Sequence, residues 1–157
     1  MQQQQQTATL TTVFSEVLAN LAFMFTDTEP GEPVLEGEWL ETMISYHGPY
    51  QGTLRLRCTR AFTVLLAANL LGIDPDDDEA EHGADDAAKE FMNIVCGQLV
   101  TTLHGTDPVF NLSIPRSTPL AEPPDLYSED VSTTSTLWVE GHPVQLVYAA
   151  GPPTAGA

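Results

Sequence analysis

The sequence predicts an α+β domain in which an antiparallel or mixed sheet is covered on one face by long helices. Three observations carry this. Two stretches place apolar residues at three- and four-residue spacing, as an amphipathic helix requires. Shorter runs have strand character, and two pairs of them are joined by turn signals. The units follow one another as helix, two strands, helix, helix, strand, loop, two strands, an order that suits helices on one side of a sheet rather than a doubly wound parallel fold.

The first helix runs from Thr9 to about Phe25, where Leu10, Phe14, Leu18, Leu21 and Phe25 recur at helical spacing. The polyglutamine tract Gln2 to Gln6 is set apart as low-complexity sequence, so residues 1–8 are expected to form a disordered tail. Pro30, Gly31 and Pro33 make Asp27 to Pro33 a loop. Trp39 to His47 and Tyr50 to Thr59 then form a hairpin about Gly48 and Pro49, with Leu54, Leu56 and Cys58 alternating with Arg55 and Arg57. Ala61 to Leu71 is an apolar helix stopped by Gly72.

Asp74 to Asp86 is strongly acidic and expected to be a solvated loop, and it lacks the glycine and distal glutamate that a calcium loop needs. The longest helix, about Ala84 to His104, closes at Gly105. A strand follows at Val109 to Ile114, then a long connection broken by Pro115, Pro119, Pro123 and Pro124. Strands Thr133 to Glu140 and Pro143 to Ala149 end the fold, joined through Gly141 and His142. One domain is expected over residues 9–150, with a flexible tail at 151–157.

At 157 residues, 42% hydrophobic and 17% charged, the chain is large enough for a core without disulfides or metals. Its 22 acidic residues face only Arg55, Arg57, Arg60, Lys89 and Arg116, for a formal net charge of −17. Nucleic acid and anionic membranes are repelled by such a surface, so neither is expected as a partner. Cys58 and Cys96 are too few for a disulfide framework or a four-ligand zinc site and are expected to be reduced and buried. His47, His82, His104 and His142 lack metal-ligand spacing, so no metal site is expected. With no basic leader before an apolar run and no apolar stretch of spanning length, the cytoplasm is the expected location.

At about 100° per residue the long helix divides into two faces. Ala84, Ala88, Phe91, Met92, Val95, Leu99 and Leu103 gather on one side, which is expected to rest on the sheet. Asp86, Glu90, Asn93 and Gly97 line up on the other. Exposed Glu and Asn are ordinary on a helix, but a mid-helix glycine costs about 1 kcal/mol relative to alanine. It removes a side chain where something has to come close.

That run, Asp86, Glu90, Asn93, Ile94 and Gly97, resembles the helix signature of the CheC, CheX and FliY phosphatase family. There an acidic or serine residue precedes a Glu-x-x-Asn pair by four positions, and a proline lies a little over twenty residues beyond. Pro115 stands in for that proline, one residue closer than usual. The segment from Gly52 through Leu54, Leu56 and Cys58 into the helix ending at Gly72 also resembles a CheX domain, so the likeness covers Thr9 to Ala149. CheC-like members carry a second active helix. Here Thr12, Glu16 and Ala19 occupy its spacing, with Ala19 in place of the asparagine and Phe23 in place of the glycine, so the chain resembles the single-site CheX branch.

The resemblance implies a two-component signalling role in chemotaxis: a phosphatase for the aspartyl phosphate of a CheY-type response regulator. Asn93 would orient the attacking water and Glu90 would pair with the regulator's active-site lysine, while Asp86, Lys89 and Gly97 border the contact. No cofactor is expected on this chain, Mg²⁺ being expected on the partner, and a homodimer formed through the sheets is implied. The alternative is a non-catalytic docking module for a regulator, a flagellar switch component or a CheD-type deamidase.

Overall fold

The structure, a computed structural model, describes residues 2–32, 37–127 and 134–151. Helix α1 (Gln2–Val17) passes into a π-helical turn (Leu18–Ala22). Strands β1 (Trp39–His47) and β2 (Gly52–Thr59) lead into α2 (Arg60–Leu71), the short α3 (Asp78–His82) and the long α4 (Ala84–His104). Strands β3 (Asn111–Leu112), β4 (Arg116–Leu120), β5 (Thr134–Val139) and β6 (His142–Ala150) complete the chain. The strands form one antiparallel sheet in the order β3-β1-β2-β6-β5, with β4 beside β3 along the outer edge of β1. This is the expected α+β architecture.

Strand register decides which residues meet the helices. Leu54, Leu56 and Cys58 of β2 lie opposite Ile44, Thr42 and Leu40 of β1 and opposite Tyr148, Leu146 and Val144 of β6. All are buried, and they form the helix-covered face with Tyr46. Phe14, Leu18, Phe62, Leu66, Phe91, Met92, Val95 and Leu99 close the core from the helix side. The other face carries Arg55, Arg57 and Glu41, whose carboxylate lies 2.7 Å from Arg57 and 3.5 Å from Arg55. Segment 121–127 crosses part of that face, with Leu126 buried and its carbonyl accepting from Thr136 Oγ1 at 2.9 Å.

Several boundaries differ from the sequence reading. The first helix ends at Ala22 rather than about Phe25, because Phe23 turns left-handed. Strand β2 begins at Gly52 and β3 shortens to Asn111–Leu112. Three further differences have an identifiable cause. Helix α1 begins at Gln2 and Thr7 is already buried, so most of the span expected as a tail, residues 1–8, continues the helix; a run of glutamines propagates a helix well once packing downstream has nucleated it. The acidic segment contains α3, because the Asp77 carboxylate caps it by accepting from the Glu79 amide at 2.9 Å. The proline-broken connection contains β4, whose Pro119 is tolerated on an edge strand. Expected strand residue Thr133 and tail residues 152–157 lie outside the described residues.

Between β3 and β4 the chain holds one residue more than β1 opposite it, since Tyr46 pairs with Leu112 while Met43 pairs with Arg116. This edge bulge contains Pro115 and leaves Ile114 88% exposed. The β5–β6 hairpin turns at Glu140 and Gly141, both at positive φ, one residue earlier than the expected Gly141 and His142. Its two amides donate to the Asp27 carboxylate at 3.2 and 2.8 Å. Gly52 is required as glycine because a Cβ there would lie 2.7 Å from the Tyr46 ring.

The buried Tyr46 and Tyr148 hydroxyls share a hydrogen bond of 2.6 Å. Burial raises both pKa values above the usual tyrosine range. Tyr148→Phe orphans the Tyr46 hydroxyl and is expected to cost about 1–3 kcal/mol in denaturant unfolding, whereas the double Tyr46→Phe, Tyr148→Phe change should regain most of that.

His104, at the end of α4, stacks on Tyr50 (centroids 4.3 Å apart) and on Phe110 (5.3 Å). Burial lowers its pKa below the usual histidine value. The unfolded chain therefore takes up the proton more readily, and the stability involved is full above about pH 6.5 and lost as pH falls below it. Melting temperature followed downward through that range should fall more steeply for the wild type than for His104→Gln.

Candidate functional site

Helix α4 starts at Ala84 after its N-cap Gly83, and Asp85 and Asp86 in its first turn complement the helix dipole. Ala84, Ala88, Phe91, Met92, Val95 and Leu99 are all fully buried. Phe91 meets Phe14 of α1 edge to face, with centroids 5.4 Å apart at 88°. These contacts fix the rotation of α4, so the opposite stripe points to solvent. Asp86, Glu90 and Asn93 are exposed on it, Gly97 is half-buried within it, and Lys89 is half-buried at its side.

The structure thus brings the sequence-predicted residues onto one open face. Neither Glu90 nor Asn93 has a side-chain hydrogen bond or ion pair among the described residues. Asn93 offers one acceptor and two donors without charge, and Glu90 offers a carboxylate that can take a cation. A Cβ on Gly97 would meet nothing within 4 Å, so this chain's own packing does not demand a glycine there.

Pro115 lies on the β3–β4 bulge, and both of those strands contact α4. The sequence reading stopped the stripe at Gly97. It continues to the exposed Thr101, whose hydroxyl donates to the Gly97 carbonyl at 3.1 Å. The i, i+4 step from Gly97 was the available signal.

The α1 counterpart differs in shape as well as in sequence. Glu16 is exposed and Ala19 half-buried, but the helix changes to π geometry at Leu18 and ends at Phe23, which has a left-handed φ of 54° and is 74% exposed. On α4 the surface runs on past Gly97 to His104. Cys58 and Cys96 are free and buried, and burial pushes both thiols up to about 12, so neither is a nucleophile near neutral pH. Among the described residues no group of His, Cys, Asp and Glu is placed to hold a metal ion, and no helix is long and apolar enough to cross a membrane.

The family model described as chemotaxis phosphatase CheX matches residues 41–119, which run from β1 through α4 into β4 and include Glu90 and Asn93. No curated protein sequence matches the chain. Among solved structures, CheX from Desulfovibrio desulfuricans is similar with a TM-score of 0.66 at 14% identity, over 94% of this chain and 99% of that one. CheX from Vibrio vulnificus is similar at 0.64 and 15%, over 92% and 99%. A CheX-CheY-BeF3-Mg complex from Borrelia burgdorferi contains a chain similar at 0.60 and 19%, over 92% and 97%. At these identities the structures establish the fold, and the family model, covering half of the 157 residues, establishes the kinship. With its α+β sheet and open α4 stripe accounted for, the chain belongs to the CheX family of chemotaxis phosphatases.

Proposed function

We propose that this chain hydrolyses the aspartyl phosphate of a CheY-type response regulator, with Glu90 and Asn93 entering the regulator's active site from α4. The observation that carries the reading is the pair itself: two exposed, unpaired side chains on one face of a helix whose other face is locked in the core, in a chain of the CheX family. The B. burgdorferi complex supports a CheY-type partner by kinship.

An aspartyl phosphate is an activated acyl phosphate, so the reaction asks for little covalent chemistry from the protein. Water attacks phosphorus in line, the bond from phosphorus to the aspartyl oxygen breaks, and phosphate leaves with the carboxylate regenerated. Positioning and electrostatics are the main levers for such a transfer. Asn93 orients the water as a neutral hydrogen-bonding group, a role comparable to the water-positioning glutamine of GTPases. Glu90 pairs with the regulator's lysine and sets the docking register. Asp86 and Lys89 flank the contact, and Gly97 lets the partner's backbone approach. Mg²⁺ belongs to the regulator and neutralises phosphate charge there, with no cofactor held by this chain.

The setting of this reading is cytoplasmic, with the protein acting as a homodimer. Among the described residues no helix covers the face of β1 and β2 that carries Met43, Arg55 and Arg57, which supports pairing of two copies through their sheets.

The test is the decay of a phosphorylated CheY-type regulator with Mg²⁺, alone and with added protein. Wild type should accelerate decay, Asn93→Ala should abolish the acceleration, losing at least about 100-fold in kcat, and Glu90→Ala should weaken docking as well as rate. Unchanged decay with binding retained would establish a docking module instead. Gly97→Ala should raise unfolding stability by about 0.5–1 kcal/mol while lowering regulator affinity, a separation visible by comparing melting curves with binding curves.

A further inference from the structure

Acidic residues are unevenly placed around α4. Asp85, Asp86 and Glu90 crowd its N-terminal half, yet from Phe91 to Ala121 the only carboxylate is Asp107, in a chain with 22. In space the asymmetry is sharper. Two open hollows, of about 390 and 320 Å³, meet at Gly97 and Thr101. One runs along Ile94, Gln98 and Thr102 and the other towards Val100, Phe110 and Leu112, and among the described residues no charged one lines either. Val109 and Ile114, 79% and 88% exposed, add apolar surface on the strand side of α4.

From this we infer that the regulator lies over the C-terminal half of α4 and the β3–β4 edge, seating a neutral or apolar side chain from the rim of its phosphorylation site in the hollows about Gly97. This rests on the function proposed above and adds a direction and a recognition surface to it. The argument is electrostatic first. A phosphorylated aspartate site presents concentrated negative charge, and like charges repel more strongly near a protein surface than in bulk water. For a molecule of net charge −17, in which the Glu90 carboxylate is matched to the regulator's lysine, the rest of the contact is least opposed where the surface carries no further carboxylates. The uncharged surface also begins where Asn93 ends, so a partner engaged by Asn93 reaches it without a gap. Gly97, unneeded by internal packing, sits at its centre.

The test uses the intact protein and a CheY-type regulator activated with beryllofluoride and Mg²⁺. Thr101→Glu adds one carboxylate to the surface and Gly97→Leu fills the junction of the hollows; Ala61→Glu, on the exposed start of α2, is the control. The expected result is at least about tenfold weaker binding for Thr101→Glu at low salt, narrowing as salt rises, comparable weakening for Gly97→Leu at all salt concentrations, and no change for Ala61→Glu. In the decay assay both losses should fall on KM rather than kcat, unlike Asn93→Ala. If Thr101→Glu and Gly97→Leu bind as wild type while Asn93→Ala abolishes the acceleration, the inference is overturned and the phosphatase reading stands. If wild type neither binds an activated regulator nor speeds its decay, both fall together.

Discussion

Phe91, Met92, Val95 and Leu99 are held in the core against the sheet and against Phe14 of α1, and this contact determines how α4 is turned about its axis. Burying side chains of that size stabilises by about 1.5–3 kcal/mol each, far more than any surface preference of the helix. A rotation by one residue, about 100°, would put Glu90 where Phe91 is buried. The stripe is therefore held in place although, among the described residues, neither Glu90 nor Asn93 has a side-chain hydrogen bond. A group that has to enter another protein's active site is better left free of local partners, and it has to stand on a support that does not yield.

The same contact ties distant parts of the fold to the site. The edge strands β3 and β4 run alongside α4, and their bulge carries Pro115 and Ile114 outward beside the helix. His104, clasped by Tyr50 and Phe110, fastens the end of α4 to the β1–β2 turn and to the start of β3. The surface beyond Asn93 is thus made jointly by helix and sheet edge, which a helix with a frayed last turn would not provide. On α1 the π turn and the left-handed Phe23 cut the equivalent surface short.

Elements with a strong period were legible in the sequence. The bounds of β1 and α4 agree residue for residue with the reading, because alternation in one and a long apolar stripe in the other leave no competing register. The polyglutamine start, α3 and β4 were not: the first and last depend on packing further along α1 and on the open edge of β1, and α3 on one aspartate cap inside a uniformly acidic run. Glu90 and Asn93 were identified by resemblance, and the periodicity placed them on the outward face where the structure has them. Thr101 and the uncharged hollows escaped notice because threonine and glycine carry little signal by themselves. Only folding sets them beside Phe110 and Leu112.

The proposed function makes the outward stripe of α4 the surface that meets a response regulator. Backbone amide chemical shifts of the labelled protein, followed while a CheY-type regulator activated with beryllofluoride and Mg²⁺ is added, test it most directly. Perturbations should concentrate between Asp86 and Thr101 and along the β3–β4 edge, with α2 and the Arg55–Arg57 face of the sheet silent. Perturbations confined to that sheet face or to α1, with α4 unmoved, would contradict it.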